Sequence, residues 1–213
     1  MSSLKTELSK KHFRVTIFGS ARIKYTHPVY KQVEKLAELI AKEGIDIVTG
    51  GGPGLMDAAS RGHLKGRKSS KVHTIGLTIS LPREQRDSYH LDVKQQFEKF
   101  SGRLDHFMQL SNAVVVSPGG VGTALEFFYT WQLIQVKHTC TIPVILLGDM
   151  WIGLLDWVKK YPLKKKFLDK KDLEFIYHAK TSHDAISIIK LAHEEYKKGG
   201  DNLCLNIKKY KVI

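Results

Sequence analysis

Cysteine is scarce in this 213-residue chain: there are two, Cys140 and Cys204, and no CxxC pair. So few give neither a disulfide framework nor a cysteine-based zinc site, and they read as reduced thiols of a cytoplasmic protein. Long apolar runs are also missing. None approaches the ~18 residues of a transmembrane helix, so no membrane contact is expected. The opening residues, Met1-Ser2-Ser3-Leu4-Lys5-Thr6-Glu7, lack the apolar stretch of a signal peptide. The ten histidines include no HExxH and no zinc-like spacing, so no metal is expected. There is no GxSxG elbow. No Gly-Lys-Ser/Thr completes a phosphate loop, and no GxGxxG follows the first strand. No lysine beside a glycine turn stands out as a carrier of pyridoxal phosphate, so no organic cofactor is expected either. These absences exclude zinc proteases, serine hydrolases, P-loop nucleotide hydrolases and ordinary dinucleotide dehydrogenases.

Acidic residues are outnumbered, 21 against 34 basic, for a formal net charge of +13. The excess is spread along the chain, with concentrations at 65–71, 164–166 and 208–211. No zinc-finger, homeodomain or RNP spacing accompanies it. Single-stranded nucleic acid would call for aromatics along a basic groove, whereas Phe127, Phe128 and Trp131 are expected to pack on a helix. Nucleic acid is therefore not the expected partner. The basic surface suits small phosphorylated molecules better.

What remains is an alternation of short apolar runs and amphipathic stretches. Strands are expected at 13–18, 45–48, 72–79, 91–97, 113–116 and 142–148. Helices are expected at 29–43, 55–64, 100–110, 124–134, 151–160 and from 182 to about 199, with a basic linker at 161–172. Val33, Leu36, Ala37 and Ile40 recur at helical spacing, and Gly44 follows as a C-cap. This is an α/β pattern. It predicts a single Rossmann-like domain over 12–200, a parallel sheet with helices on both faces. A loose segment, 1–11, precedes it and a tail, 201–213, follows.

Ser117-Pro118-Gly119-Gly120-Val121-Gly122-Thr123 joins the run Ala113-Val114-Val115-Val116 to a helix carrying Glu126. Glycines in such a turn let a ligand approach the backbone, and the free N–H groups of the helix start favour an anion. Gly119, Gly120, Gly122 and Thr123 are thus candidates to hold phosphate. Glu126 lies further along the helix, within reach of whatever the phosphate carries. A second turn, Thr49-Gly50-Gly51-Gly52-Pro53-Gly54, repeats the arrangement and makes Gly51 and Gly52 candidates. Gly19 and Ser20 end the first strand where α/β sheets collect ligands. Arg103, on the 100–110 helix, is a permanent cation able to pair with Glu126 or with phosphate. Thr130 shares the face of Glu126 at i+4, where contact with substrate and burial in the core are both open readings.

GGGPGLMDAA (Gly50 to Ala59) and PGGVGTALE (Pro118 to Glu126) together resemble the LOG, or "lonely guy", family, whose members are often mislabelled lysine decarboxylases. The resemblance runs from about Phe13 to Asp156. It implies a Rossmann-like fold and hydrolysis of the N-glycosidic bond of nucleoside 5′-monophosphates, AMP and cytokinin ribotides included. It carries Arg103 and Glu126 as a catalytic pair, places Glu84 of Pro82-Arg83-Glu84 at the substrate site, and matches Thr130-Trp131. It also implies a homodimer or a higher homo-oligomer, in which a partner subunit helps to close the site. One departure stands out: the family usually has Arg-Lys where this chain has Arg103-Leu104, which bears on substrate preference. The rival expectation is a non-catalytic carrier of a nucleotide or a molybdopterin-type cofactor on the same fold. Such a carrier needs the glycines but not the aimed Arg103–Glu126 pair.

Overall fold

In chain order the elements are α1 (Leu4–Ser9), β1 (Arg14–Phe18), α2 (Pro28–Lys42), β2 (Asp46–Thr49), α3 (Leu55–Gly66), β3 (Thr74–Ile79) and β4 (Val93–Phe97). There follow α4 (Phe100–Leu110), β5 (Ala113–Val116), α5 (Val121–Gln135), β6 (Val144–Leu147), α6 (Ile152–Val158), β7 (Ile176–Ala179) and α7 (Ser182–Lys197). They come from a computed structural model that describes residues 4–80, 88 and 90–199. The seven strands form one parallel sheet in the order β4-β3-β2-β1-β5-β6-β7. This is the Rossmann-like α/β architecture expected.

The sheet is buried on both sides: β5 and β6 are apolar at every position, and β1 and β2 are buried throughout although they carry Arg14, Thr16, Asp46 and Thr49. Ala113 and Val115 point to one face, with Val15, Ile47 and Ile145, and meet α2, α3 and α7. Val114 and Val116 point to the other, with Phe18, Val48 and Leu146, and meet α4, α5 and α6. Fully burying one such valine is worth about 1.5–3 kcal/mol, so two continuous cores outweigh local preferences. The expected stripe of α2 is fully buried: Val33, Leu36, Ala37 and Ile40 are all at 0% exposure. Gly44 has φ +73° just past its end, the left-handed closing residue that glycine supplies best.

The strand order fixes where a ligand can sit. β1 pairs with β2 on one side and β5 on the other, so the winding of the chain reverses between β1 and β5. The crevice beyond the carboxyl ends of those two strands is the ligand position of open α/β sheets. Gly19 and Ser117 begin the loops that line it.

Three readings of the sequence are corrected. Residues 4–9, expected to be loose, form a helix, and its Glu7 is fully buried. The reason is Arg14, buried at the start of β1, whose Nη2 donates to the Glu7 carbonyl at 2.6 Å while Lys10 Nζ reaches Glu7 Oε1 at 2.6 Å. β7 was not expected. It is a four-residue edge strand with only Ala179 fully buried, too short to show a period. Cys140, expected as a reduced thiol, is disulfide-bonded, a contact that spacing alone does not encode. Among the described residues no helix is long and apolar enough to cross a membrane.

Candidate active site

Three loops meet at the switch point and are stitched together by their backbones. Ser20 N–H donates to Pro118 O at 3.1 Å, and Leu55 N–H donates to Ser20 O at 2.9 Å. Between them lies a cavity of about 490 Å³. Gly19, Ser20 and Arg22 line it from the first loop, Gly50 and Gly52 from the second, Gly120, Gly122 and Thr123 from the third. Arg103 and Glu126 form its inner wall.

The glycines divide by what a Cβ would meet. At Gly120 and Gly122, beyond the chain neighbours and the local helix backbone, no atom of the described residues lies within 4 Å of that position. These two therefore keep open a space that the chain itself does not fill. Gly120 caps α5 without any side-chain hydrogen bond, so the first N–H groups of a 15-residue helix face the cavity. That combination suits an anion with several oxygens. At Gly119 a Cβ would come within 2.1 Å of Thr123 Oγ1. Its smallness serves packing, and it does not line the cavity.

The second glycine turn differs from its expected role. A Cβ on Gly54 would sit 2.3 Å from Ser20 O, and the N–H of Leu55, at the start of α3, is already spent on that same carbonyl. Gly51, at φ +68°, turns towards Thr78 and Leu91 rather than into the cavity. Gly50 makes room for Arg103: a Cβ there would lie 2.4 Å from Nη2 of that guanidinium and 2.5 Å from Met56 Sδ. This turn is thus a close-packing device that passes Arg103 across it, with Gly52 alone of the two expected residues at the cavity wall.

Arg103 is 8% exposed. Its Nε donates to Leu77 O at 2.7 Å, its guanidinium lies over the Phe107 ring at 5.1 Å, and its Nη1 is 3.7 Å from Glu126 Oε1. The last distance is an ion pair but too long for a hydrogen bond. Burial pushes the Glu126 carboxyl up to about 7, against the pull of Arg103. Burial also lowers the pKa of Arg103, with Glu126 opposing it, but a guanidinium starts so high that it stays cationic at neutral pH. The cavity therefore holds a carboxyl whose pKa is raised by burial beside a fixed positive charge, on the helix whose start lines the same cavity.

Of the two readings open for Thr130, the structure places it in the core. It is fully buried, its hydroxyl donates back to the Glu126 carbonyl at 2.8 Å, and it does not line the cavity. Glu84 lies outside the described residues. Phe127 and Trp131 pack as expected, whereas Phe128 is 41% exposed. The cavity also takes in Arg22, Met56, Thr78 and Phe100, which the sequence did not single out. Arg22 stood only three residues past Gly19, and that nearness was the available signal.

Comparison with known proteins identifies the family. Residues 56–189 match the family described as "Possible lysine decarboxylase". The chain belongs to that family. It is the LOG family of the paired glycine motifs, and the stretch runs from the α3 start to α7, taking in both Arg103 and Glu126. A curated relative is the pyrimidine/purine nucleotide 5′-monophosphate nucleosidase of Escherichia coli (strain K12), 27% identical over 128 residues. The match covers 56% of this chain and 28% of that protein, so the chain spans little more than a quarter of the length of the curated relatives it matches. Among solved structures, this LOG-family chain resembles the molybdenum cofactor binding protein of Rippkaea orientalis, with a TM-score of 0.63 at 22% identity over 86% of this chain and 98% of that one. The molybdenum cofactor carrier protein of Chlamydomonas reinhardtii gives the same score and identity, over 86% and 99%. At that identity the likeness speaks for the fold.

Proposed function

We propose that this chain hydrolyses the N-glycosidic bond of nucleoside 5′-monophosphates, AMP or N6-modified AMP among them, to free base and ribose 5-phosphate. The observation that carries the reading is the Arg103–Glu126 pair in the wall of a cavity that opens on the bare start of α5. Glu126 stands five residues past Val121, about 7–8 Å along the helix. That is the reach from a 5′-phosphate on the helix start across a ribose. The name of the Escherichia coli relative points the same way.

Cleavage breaks the bond from C1′ to the base nitrogen. The nitrogen leaves with the bonding electrons, and positive charge grows on C1′ and the ring oxygen. Ionised Glu126 stabilises that charge and takes a proton from the attacking water, whose oxygen forms the new bond to C1′. Arg103 keeps the carboxylate aimed. Phosphate held at Gly120, Gly122 and Thr123 supplies positioning for the reacting end. Nothing in this scheme requires a metal or an organic cofactor.

The reading extends to a homodimer. Val121 is 88% exposed at the cavity mouth, and Phe128, Trp157 and Phe167, at 41%, 51% and 77%, continue an apolar surface over α5 and the region after α6. A second copy covering that surface would shield it and narrow the mouth.

The test is free-base release from a panel of nucleoside monophosphates, N6-prenylated AMP included, with Glu126→Ala alongside. Release that the substitution lowers at least 100-fold supports the hydrolase. Tight nucleotide binding with no release from any member of the panel would replace it with the carrier reading, which the fold of the molybdenum cofactor proteins keeps in play.

A further inference from the structure

The cavity contains two guanidinium groups, and only one is engaged. Arg103 is held by Leu77 O and faces Glu126. Arg22 lines the same cavity, is exposed, and pairs with no carboxylate among the described residues. Its backbone is nonetheless fixed. Arg22 N–H donates to Ser20 Oγ at 3.1 Å, and Ser20 is itself tied to Pro118 and Leu55. The first loop is thus pinned between the other two. It brings a cation that pairs with no carboxylate among the described residues to the same cavity that Gly120 and Gly122 line without side chains.

We infer that Arg22 is the residue that makes the site selective for phosphorylated ligands, clamping from the solvent side a phosphate whose other oxygens meet the start of α5. This deepens the phosphoribohydrolase reading and rests on its placement of the phosphate. A helix start alone supplies partial charge and favours any small anion. A guanidinium fork adds a full charge and two parallel donors, geometry that matches a phosphate. The ligand class is sugar 5-phosphates, whether the intact nucleotide or the ribose 5-phosphate released from it. The product keeps the group that Arg22 holds, so ribose 5-phosphate competes with substrate.

The experiment is calorimetric titration of the full chain with ribose 5-phosphate and with AMP, adenosine serving as the phosphate-free ligand. Wild type, Arg22→Ala, Arg22→Lys and Lys24→Ala are compared, with free-base release from AMP measured in parallel. Arg22→Ala is expected to weaken both phosphorylated ligands about tenfold or more. Adenosine binding and the melting temperature of the unliganded protein should stay as in wild type. Arg22→Lys should recover part of the affinity, and Lys24→Ala, which removes a cation outside the cavity, should change little. Affinities for the phosphorylated ligands that are equal in wild type and Arg22→Ala overturn the inference, as does an equal loss in Lys24→Ala, which would make the effect one of net charge. Binding needs no turnover. If wild type releases no base yet Arg22→Ala loses ribose 5-phosphate, the hydrolase reading fails and the role of Arg22 stands.

Discussion

Replacing Glu126 by glutamine tests the electrostatics of the cavity without any substrate. The carboxyl titrates near 7 in the fold, raised by burial from its ordinary 4.5. As pH rises from 4.5 to 7 the unfolded chain ionises this group first, so the fold loses stability over that window and is level above it. Between pH 5 and pH 8 the loss is about 2–3 kcal/mol. In a domain of this size each kcal/mol moves Tm by about 2–4 °C, giving roughly 5–10 °C. Glutamine keeps the shape of the protonated acid and has no charge to lose. Arg103 retains its bond to Leu77 O in the variant, and every other titrating group is common to both proteins. The assay is Tm by circular dichroism at constant ionic strength from pH 5 to pH 8. Wild type and Glu126→Gln should melt close together at pH 5, and the variant should melt about 5–10 °C higher at pH 8. A gap that stays constant over this range would refute the claim that Glu126 is ionised against its burial.

The same titration sets the rate profile. With ionised Glu126 as the working form, kcat/KM for AMP should rise tenfold per pH unit below about 7 and level off above it; a profile flat from pH 5 to 8 would remove Glu126 from the chemistry. Gly50→Ala places a Cβ 2.4 Å from Arg103 Nη2, so activity should fall at least tenfold as Arg103 is pushed aside, and Tm should fall with it. Gly120→Ala, beyond its chain neighbours and the local helix backbone, meets no atom of the described residues within 4 Å, so Tm should stay within about 2 °C while KM for AMP rises severalfold; a KM equal to wild type would show that nothing binds there. Thr130→Val removes a hydroxyl that donates to the Glu126 carbonyl of its own helix, and KM is expected to stay within about twofold of wild type, which kinetics with AMP checks directly.

How much of this was legible in the sequence depends on the range of the interaction. The central strands could be read from Ala113–Val116 because burial on both faces demands an unbroken apolar run, and α2 could be read from four residues at a regular spacing. β7 could not, because an edge strand with one fully buried residue leaves too weak a pattern. α1 could not either, because it is held by Arg14 and Glu7, and a polar sequence gives no hint that its charges will be buried together. Residue chemistry left Arg103 free to pair with Glu126 or with phosphate, and the resemblance carried the two as a catalytic pair. The physical cause of that pairing, a guanidinium laid across Gly50 from a helix on the far side of β3, is wholly tertiary.

The glycines carry the sharpest lesson. As letters, GGGPG and PGGVG look alike, and both follow an apolar strand and open a helix. Function parts them according to what occupies the place of the missing Cβ. At Gly50 and Gly54 that place is crowded by protein atoms, so the glycine serves the fold. At Gly120 and Gly122 it is vacant, so stability gives no reason to forbid a side chain there. Glycine inside a helix costs about 0.5–1 kcal/mol against alanine; Gly122, in the first turn of α5, carries that cost, whereas Gly120 at the N-cap does not. Gly122, with no packing demand to offset that cost and two residues past a cap equally unfilled, is best accounted for by a ligand that needs the backbone bare. The Gly50–Gly54 turn therefore builds the site and the Gly119–Gly122 turn presents it, a division that only the neighbours of each glycine reveal.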